Sequence, residues 1–132
     1  MVGDRYVITS AFCTEDKLPN EISVLVGDTT LGVANDTSRF FLNVYEIRKH
    51  LEYDKYLMNN IAVLVLSPPL DLKAYPNIKP ACLPTSETKI DLKLREAVTS
   101  GWGTFITLDE NSNSNLHKLG VKILPNCSAW QG

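Results

Sequence analysis

The apolar run Ile61-Ala62-Val63-Leu64-Val65-Leu66 is the feature that most limits how this chain can fold. It offers no polar face to solvent, and it is far too short to cross a bilayer. The segment Ser67-Pro68-Pro69 follows at once and is typical of the end of a strand. We therefore expect a central strand that is buried on both faces of a sheet.

The rest of the chain predicts further short strands, separated by turns. Apolar or alternating stretches indicate strands at 5–9, 23–27, 40–47, 96–100 and 119–124. The polar stretch 108–115 has the composition of a solvated loop. Helical periodicity is weak and confined to 53–59. Many short strands at turn-marked intervals predict an all-β barrel or sandwich.

Composition excludes several classes of function. The chain has 132 residues, enough for one domain, with a net charge of −2 and no clustered basic patch for nucleic acid. The two histidines, His50 and His117, and the spacing of the three cysteines match no zinc motif, and we expect no metal or cofactor. No signal peptide is visible, since Met1 is followed within three residues by Asp4.

Five short blocks, in order, resemble the chymotrypsin-like (trypsin-like) serine proteases. The family reads approximately V-L-T-A-A-H-C in the first block, N-N-D-I-A-L-L in the third, P-x-C-L-P in the fourth and G-W-G in the fifth. Here the blocks are Tyr6-Val7-Ile8-Thr9-Ser10-Ala11-Phe12-Cys13, His50-Leu51-Glu52-Tyr53-Asp54, Asn59-Asn60-Ile61-Ala62-Val63-Leu64, Pro80-Ala81-Cys82-Leu83-Pro84 and Gly101-Trp102-Gly103-Thr104. The resemblance implies a double antiparallel β-barrel, of which this chain would supply most of the first barrel and the start of the second.

Two residues depart from the family at the positions its chemistry needs most. Phe12 stands where the resemblance places the catalytic histidine, and Asn60 stands where it places the triad aspartate. The triad needs an imidazole to take the proton of the serine and a carboxylate to orient that imidazole. The resemblance therefore predicts that the chain has no catalytic base, with Phe12 lying near Asn60 in the space of the imidazole. We expect no catalytic role for His50, and we expect His117 to be a solvated surface residue in a loop.

The resemblance also predicts how the chain is organised. It implies a partial trypsin-like domain over 1–132, with the first barrel over about 1–78, an interdomain crossing over about 79–96 and the second barrel from about 97. The family's Gly-Asp-Ser-Gly-Gly block, which carries the nucleophile, does not occur in this sequence. The chain is thus expected to be a piece of a protease domain, either a natural short product or a gene-model fragment.

The cysteines and two sequons agree with a secreted origin. In the family, the partners of the cysteines that match Cys13, Cys82 and Cys127 would all lie outside this chain, so we expect no bridge between any two of them. Asn35 and Asn126 begin Asn-x-Ser/Thr sequons and are possible glycosylation sites. The resemblance therefore implies an extracellular protein.

Three functions are open at this point. The first is a non-catalytic serine protease homologue that binds proteins, such as the proteases or inhibitors of an extracellular cascade. The second is a truncated product with no independent function, and it is compatible with the first. The third is a serine-type endopeptidase, which is the activity that the family label alone implies.

Overall fold

A computed structural model describes residues 1–31, 39–54, 56–84, 95–103 and 115–124. In these residues the chain is all-β, as predicted, with two short 3-10 turns and no α-helix. The chain forms two compact units, one of residues 1–28 and 36–83 and the other of residues 29–35 and 84–132. The strands are β1 (Tyr6–Thr9), β2 (Ser23–Val26), β3 (Phe40–Lys49), β4 (Ala62–Leu66), β5 (Glu96–Gly101) and β6 (His117–Lys122).

The first unit contains a curled four-stranded sheet in the order β1-β4-β3-β2. All three pairs are antiparallel, which confirms the predicted pairing of the first four strands. β4 lies between β1 and β3 and is the most buried strand, with Leu64 and Leu66 at 4% and 1% exposure. Residues 62–66 of the apolar run therefore form the central strand that the sequence predicts, whereas Ile61 precedes the strand and is exposed.

A β-bulge in β3 determines which of its residues reach the core. Leu42 and Val44 alternate with exposed residues and point inward, as the two-residue period of a strand requires. Between Val44 and Glu46 the register to β4 shifts by one residue. This extra residue moves the inward face onto Ile47, which packs against the core. The core cluster is Leu42, Val44, Leu64, Leu66 and Leu70, with partly buried Met1, Val7, Ile22, Val24, Val26, Phe40, Ile47, Leu72 and Ile78 around it.

An ion pair joins the two ends of the segment between β2 and β3. Gly27 adopts a positive φ of 75° just after β2, a conformation that glycine takes without steric cost. The next residue, Asp28, has a side chain that is only 3% exposed, and its Oδ2 lies 3.0 Å from Nη1 of Arg39. Arg39, which directly precedes β3, therefore pairs with the charge of Asp28, which lies two residues after β2.

The connection between β3 and β4 is a turn built around Asp54, and the weak helical pattern at 53–59 does not form a helix. Asp54 Oδ1 accepts hydrogen bonds from the backbone N–H of Tyr56 at 2.9 Å and of Met58 at 3.1 Å. The N–H of Leu57 donates to the Asp54 carbonyl at 3.0 Å, and Leu57 has a φ of 62°. Aspartate favours such local bonds to the backbone, which compete with helix formation. The apolar side chains of Leu51, Tyr56, Leu57 and Met58 all remain exposed.

The second unit contains a two-stranded antiparallel ribbon of β5 and β6. Six residue pairs are in register, from Glu96 opposite Lys122 to Gly101 opposite His117. β5 ends at Gly101, so the Gly-Trp-Gly segment closes this strand. The last strand begins two residues before the predicted 119, so His117 lies in a strand and is half-buried, and its assignment to a solvated loop is wrong.

Candidate functional site

The two sequence-predicted site residues lie together in the first unit. After β1 the chain makes a 3-10 turn over Phe12–Thr14, held by the Thr14 N–H and hydroxyl, which both donate to the Ala11 carbonyl at 3.0 and 2.8 Å. Ala11 and Thr14 are buried at 0% and 1% exposure, so they anchor the turn from inside. Phe12 lies between them and is 58% exposed.

Asn60 binds this turn through its side chain. It directly precedes the Ile61–Leu66 run, and β1 pairs with that run, so the pairing of β1 with β4 brings Asn60 beside Phe12. Asn60 Oδ1 accepts a hydrogen bond from the backbone N–H of Phe12 at 2.8 Å. The same oxygen accepts a second bond from Oγ of Ser10 at 2.7 Å. Phe12 thus lies next to Asn60, as the resemblance implies.

Sequence reasoning missed Ser10. The family pattern places an alanine at this position. The replacement of that alanine by a serine, which adds a hydroxyl group, was the only available sign in the sequence. A serine at the end of a strand has many possible partners, and only the fold shows that its partner is fifty residues away. The phenyl ring of Phe12 and the neutral carboxamide of Asn60 do not exchange protons, so this set can donate and accept hydrogen bonds but cannot carry general base chemistry by itself.

A second polar contact lies beside Cys13. The Tyr53 hydroxyl donates to Oε2 of Glu15 at 3.3 Å. Desolvation, and then the nearby Glu15 carboxylate, raise the pKa of Tyr53 above its ordinary value. The contact connects the 3-10 turn to the segment that carries Asp54.

The remaining predicted residues are apart from this set or outside the described residues. His50 Nδ1 accepts the backbone N–H of Glu52 at 3.2 Å, which is a local structural bond. Cys13 and Cys82 are both exposed and form no bridge. Cys127, Asn35 and Asn126 lie outside the described residues.

The described residues contain neither a cluster of metal ligands nor a membrane-spanning helix. No three histidine, cysteine or acidic side chains there come together as metal ligands. In the same residues, no helix has the length and apolar character needed to cross a membrane.

Comparison with known proteins identifies the family. The Trypsin family model matches residues 1–132. The chain is 27% identical to phenoloxidase-activating factor 3 of Holotrichia diomphalia, over 96% of this chain and 39% of that protein. It is 26% identical to serine protease 1 of Rattus norvegicus, over 94% of this chain and 47% of that protein. It is 29% identical to inactive serine protease scarface of Drosophila melanogaster, over 78% of this chain and 15% of that protein.

The match therefore extends over the whole chain but over only part of each relative. The chain spans about half or less of the length of these curated relatives. Its all-β fold, its curled four-stranded sheet and its second sheet agree with a partial double barrel of the chymotrypsin type. The chain belongs to the trypsin family of serine proteases.

Proposed function

We propose that this chain is a catalytically inactive trypsin-family protein, or part of one, that acts by binding other proteins of an extracellular proteolytic pathway. The observation that carries the proposal is the contact between Phe12 and Asn60. The Asn60 oxygen receives the backbone N–H of Phe12 at 2.8 Å, so the side chain of residue 12 starts beside the carboxamide. A family member would need an imidazole on that backbone and a carboxylate facing it.

Neither Phe12 nor Asn60 can supply the catalytic role that is missing at the other position. The ring of Phe12 has no atom that accepts the proton of a nucleophile, and Asn60 carries no charge to stabilise an imidazolium. The two changes fall on the base and on the group that orients it, which depend on each other. Loss of this pair alone is expected to lower turnover by several orders of magnitude.

Binding is the function that remains for a family member without this chemistry. One relative is named as an inactive serine protease, and another is named as a factor that activates phenoloxidase. We propose that this chain binds proteases of such a pathway, or their inhibitors. An extracellular location is supported by the family and by the two Asn-x-Ser/Thr sequons at Asn35 and Asn126.

Labelling with a serine-directed fluorophosphonate tests the absence of catalysis. The natural full-length gene product is purified and compared with rat serine protease 1 under identical conditions. We expect the relative to be labelled and to hydrolyse a peptide ester, and this protein to do neither. Labelling of this protein that is blocked by a serine protease inhibitor would support the endopeptidase alternative and overturn the proposal.

A graft tests the role of residue 12 in a working enzyme. Phenylalanine is placed in rat serine protease 1 at the position that matches Phe12, and kcat is expected to fall about 10⁴-fold. The control places phenylalanine at the position that matches Leu18, which is 63% exposed and outside the turn. Near-normal kcat in the first variant would show that Phe12 does not occupy the position of the base.

Binding is measured separately, because an inactive protein need not have a partner. The full chain is immobilised and exposed to an active trypsin-family protease and, in a second channel, to a protein inhibitor of that protease. We expect saturable binding to one of them at micromolar concentration or below. Absence of binding in both channels would remove this class of partner and favour a product without independent function.

A further inference from the structure

Ser10 contributes a hydrogen bond that changes what Asn60 can do. Its hydroxyl donates to Asn60 Oδ1 at 2.7 Å, and the Phe12 N–H donates to the same oxygen at 2.8 Å. Ser10 and Asn60 are both half-buried. The two residues are fifty positions apart, so the bond depends on the pairing of β1 with β4 and is not a local turn contact.

Two donors on one atom fix the orientation of the carboxamide. An asparagine side chain has one oxygen that accepts and one nitrogen that only donates. If the carboxamide were flipped, its NH2 group would face the N–H of Phe12, and two donors would oppose each other. The Phe12 N–H cannot turn away, because the 3-10 turn holds its backbone. The oxygen of Asn60 must therefore face the segment from Ser10 to Phe12.

We propose that Ser10 is a positioning residue that fills the remaining acceptor site of Asn60, so that Asn60 cannot accept a hydrogen bond from the Nδ1–H of an imidazole at position 12. A carboxamide oxygen has two lone pairs, and here the Phe12 N–H and the Ser10 hydroxyl occupy both. This inference rests on the proposed function, because it adds a third change to the two that are proposed to abolish the base. It predicts that a histidine restored alone does not take the Nδ1–H tautomer.

A carboxylate at position 60 would behave differently. An ionised aspartate has about four acceptor sites on two oxygens, so it could hold Ser10, the backbone N–H and an imidazole N–H together. The effect of Ser10 is thus specific to asparagine at this position. The hydrogen bonds from Ser10 and from the Phe12 N–H to Asn60 stabilise the turn that carries Phe12, and neither bond requires a histidine.

The test uses the tautomer of a histidine introduced at position 12 of the full chain. The variants are Phe12→His and Ser10→Ala/Phe12→His, each with Asn60 and with Asn60→Asp. Nitrogen-15 NMR of the imidazole at a pH above its pKa distinguishes the Nδ1–H tautomer from the Nε2–H tautomer. With Asn60 we expect the Nε2–H tautomer when Ser10 is present and the Nδ1–H tautomer when Ser10 is replaced, because only then can Asn60 accept from Nδ1.

With Asn60→Asp we expect the Nδ1–H tautomer in both variants. A predominant Nδ1–H tautomer in the single variant Phe12→His would overturn the proposal. So would a tautomer that does not respond to Ser10→Ala, or one that responds equally strongly in the aspartate background. The readout requires no catalysis, so fluorophosphonate labelling of the natural protein would overturn the proposed function and leave this measurement standing.

A second measurement covers the case in which a histidine variant does not fold. In the chain with Phe12 retained, Ser10→Ala is expected to raise the hydrogen-exchange rate of the Phe12 amide about threefold or more, because Asn60 loses a bond that fixes it. Ser23→Ala, at an exposed serine in β2, serves as the control and is expected to leave that rate unchanged. An unchanged rate in Ser10→Ala would contradict the positioning role.

Discussion

The four-stranded sheet and the β5–β6 ribbon are both formed by antiparallel strands, but only the sheet has a core. Five apolar residues of the first unit form a buried cluster around β3 and β4. In the ribbon, Val98 and Leu119 are 70% and 54% exposed, and none of the described residues of β5 or β6 is buried. The register of the ribbon is nevertheless complete over six pairs.

The difference shows that strand pairing and burial are set by separate properties of the sequence. Pairing needs only extended backbone and a compatible partner, whereas burial needs apolar side chains that meet another layer. A two-stranded hairpin alone is marginally stable in water, while a sheet with an apolar face can be stable. We therefore expect the stability of the described part of the chain to come mainly from the four-stranded sheet.

Truncation of Leu66 should give the largest effect. Leu66 is 1% exposed in the central strand, so Leu66→Ala is expected to lower the free energy of unfolding by about 3 kcal/mol. Val98→Ala, on the ribbon, is expected to change it by less than about 0.5 kcal/mol. Urea denaturation, monitored through the hydrogen exchange of the β4 amides, measures the free energy of unfolding of each variant. Equal losses in the two variants would contradict the conclusion that the four-stranded sheet supplies most of the stability.

An intermediate effect is expected at the ion pair beside β2 and β3. Arg39→Ala leaves the 3% exposed side chain of Asp28 without its guanidinium partner. We expect a loss of about 1–2 kcal/mol, between the values for exposed and fully buried pairs. Arg48→Ala is the matched control on β3, because its pair with Glu46 is exposed, and it is expected to have no measurable effect on unfolding.

A smaller effect is expected within the ribbon. Glu96 lies directly opposite Lys122, so Glu96→Lys places like charges across the strand pair. The exchange rates of the β5 and β6 amides should rise by about 1.4- to 5-fold, the size expected for one cross-strand pair. Glu96→Gln, which removes the charge without reversing it, is the control. Faster exchange in the β4 amides as well would mean that the two regions do not respond independently.

The smallest effect concerns a contact at the edge of the first unit. Desolvation and Glu15 raise the pKa of Tyr53, so the neutral phenol is favoured in the folded state. This contribution to stability is present below the unfolded pKa of tyrosine and is lost as pH rises through the folded pKa. Glu15→Gln should move the pKa of Tyr53 down toward its ordinary value, as read from its ring resonances by NMR. Glu52→Gln tests whether any nearby acidic residue would do the same, and an equal shift would exclude a specific role for Glu15.

The sequence predicted the strands best where one physical rule was sufficient. The run 61–66 had no polar face, and residues 40–47 alternated, so both were predicted to be strands. The bulge after Val44 was not predicted, because it depends on how β3 pairs with β4. The weak helical pattern at 53–59 was not enough to predict a helix, and the side-chain oxygen of Asp54 binds the local backbone instead.

The candidate site was predictable only in part for the same reason. The motif order implied that Phe12 would lie near Asn60, and the fold brings them together. The bond from Ser10 was not predictable, because it requires the distance between two particular atoms. The roles of Phe12 and Asn60 remain predictions that the labelling and graft experiments test.

In the turn around Asp54, the groups that hold the backbone in place are different from the side chains that form the exposed surface. One carboxylate oxygen and the local backbone hold the turn, and the side chains of Leu51, Tyr56 and Met58 take no part in those bonds. Substitutions at these exposed positions can therefore accumulate while the turn keeps its shape. Asp54 is the position that such variation should spare. At Leu57, which has a φ of 62°, glycine or asparagine would relieve backbone strain. The exposed surface of this turn can therefore change in chemistry without altering the sheet that carries it.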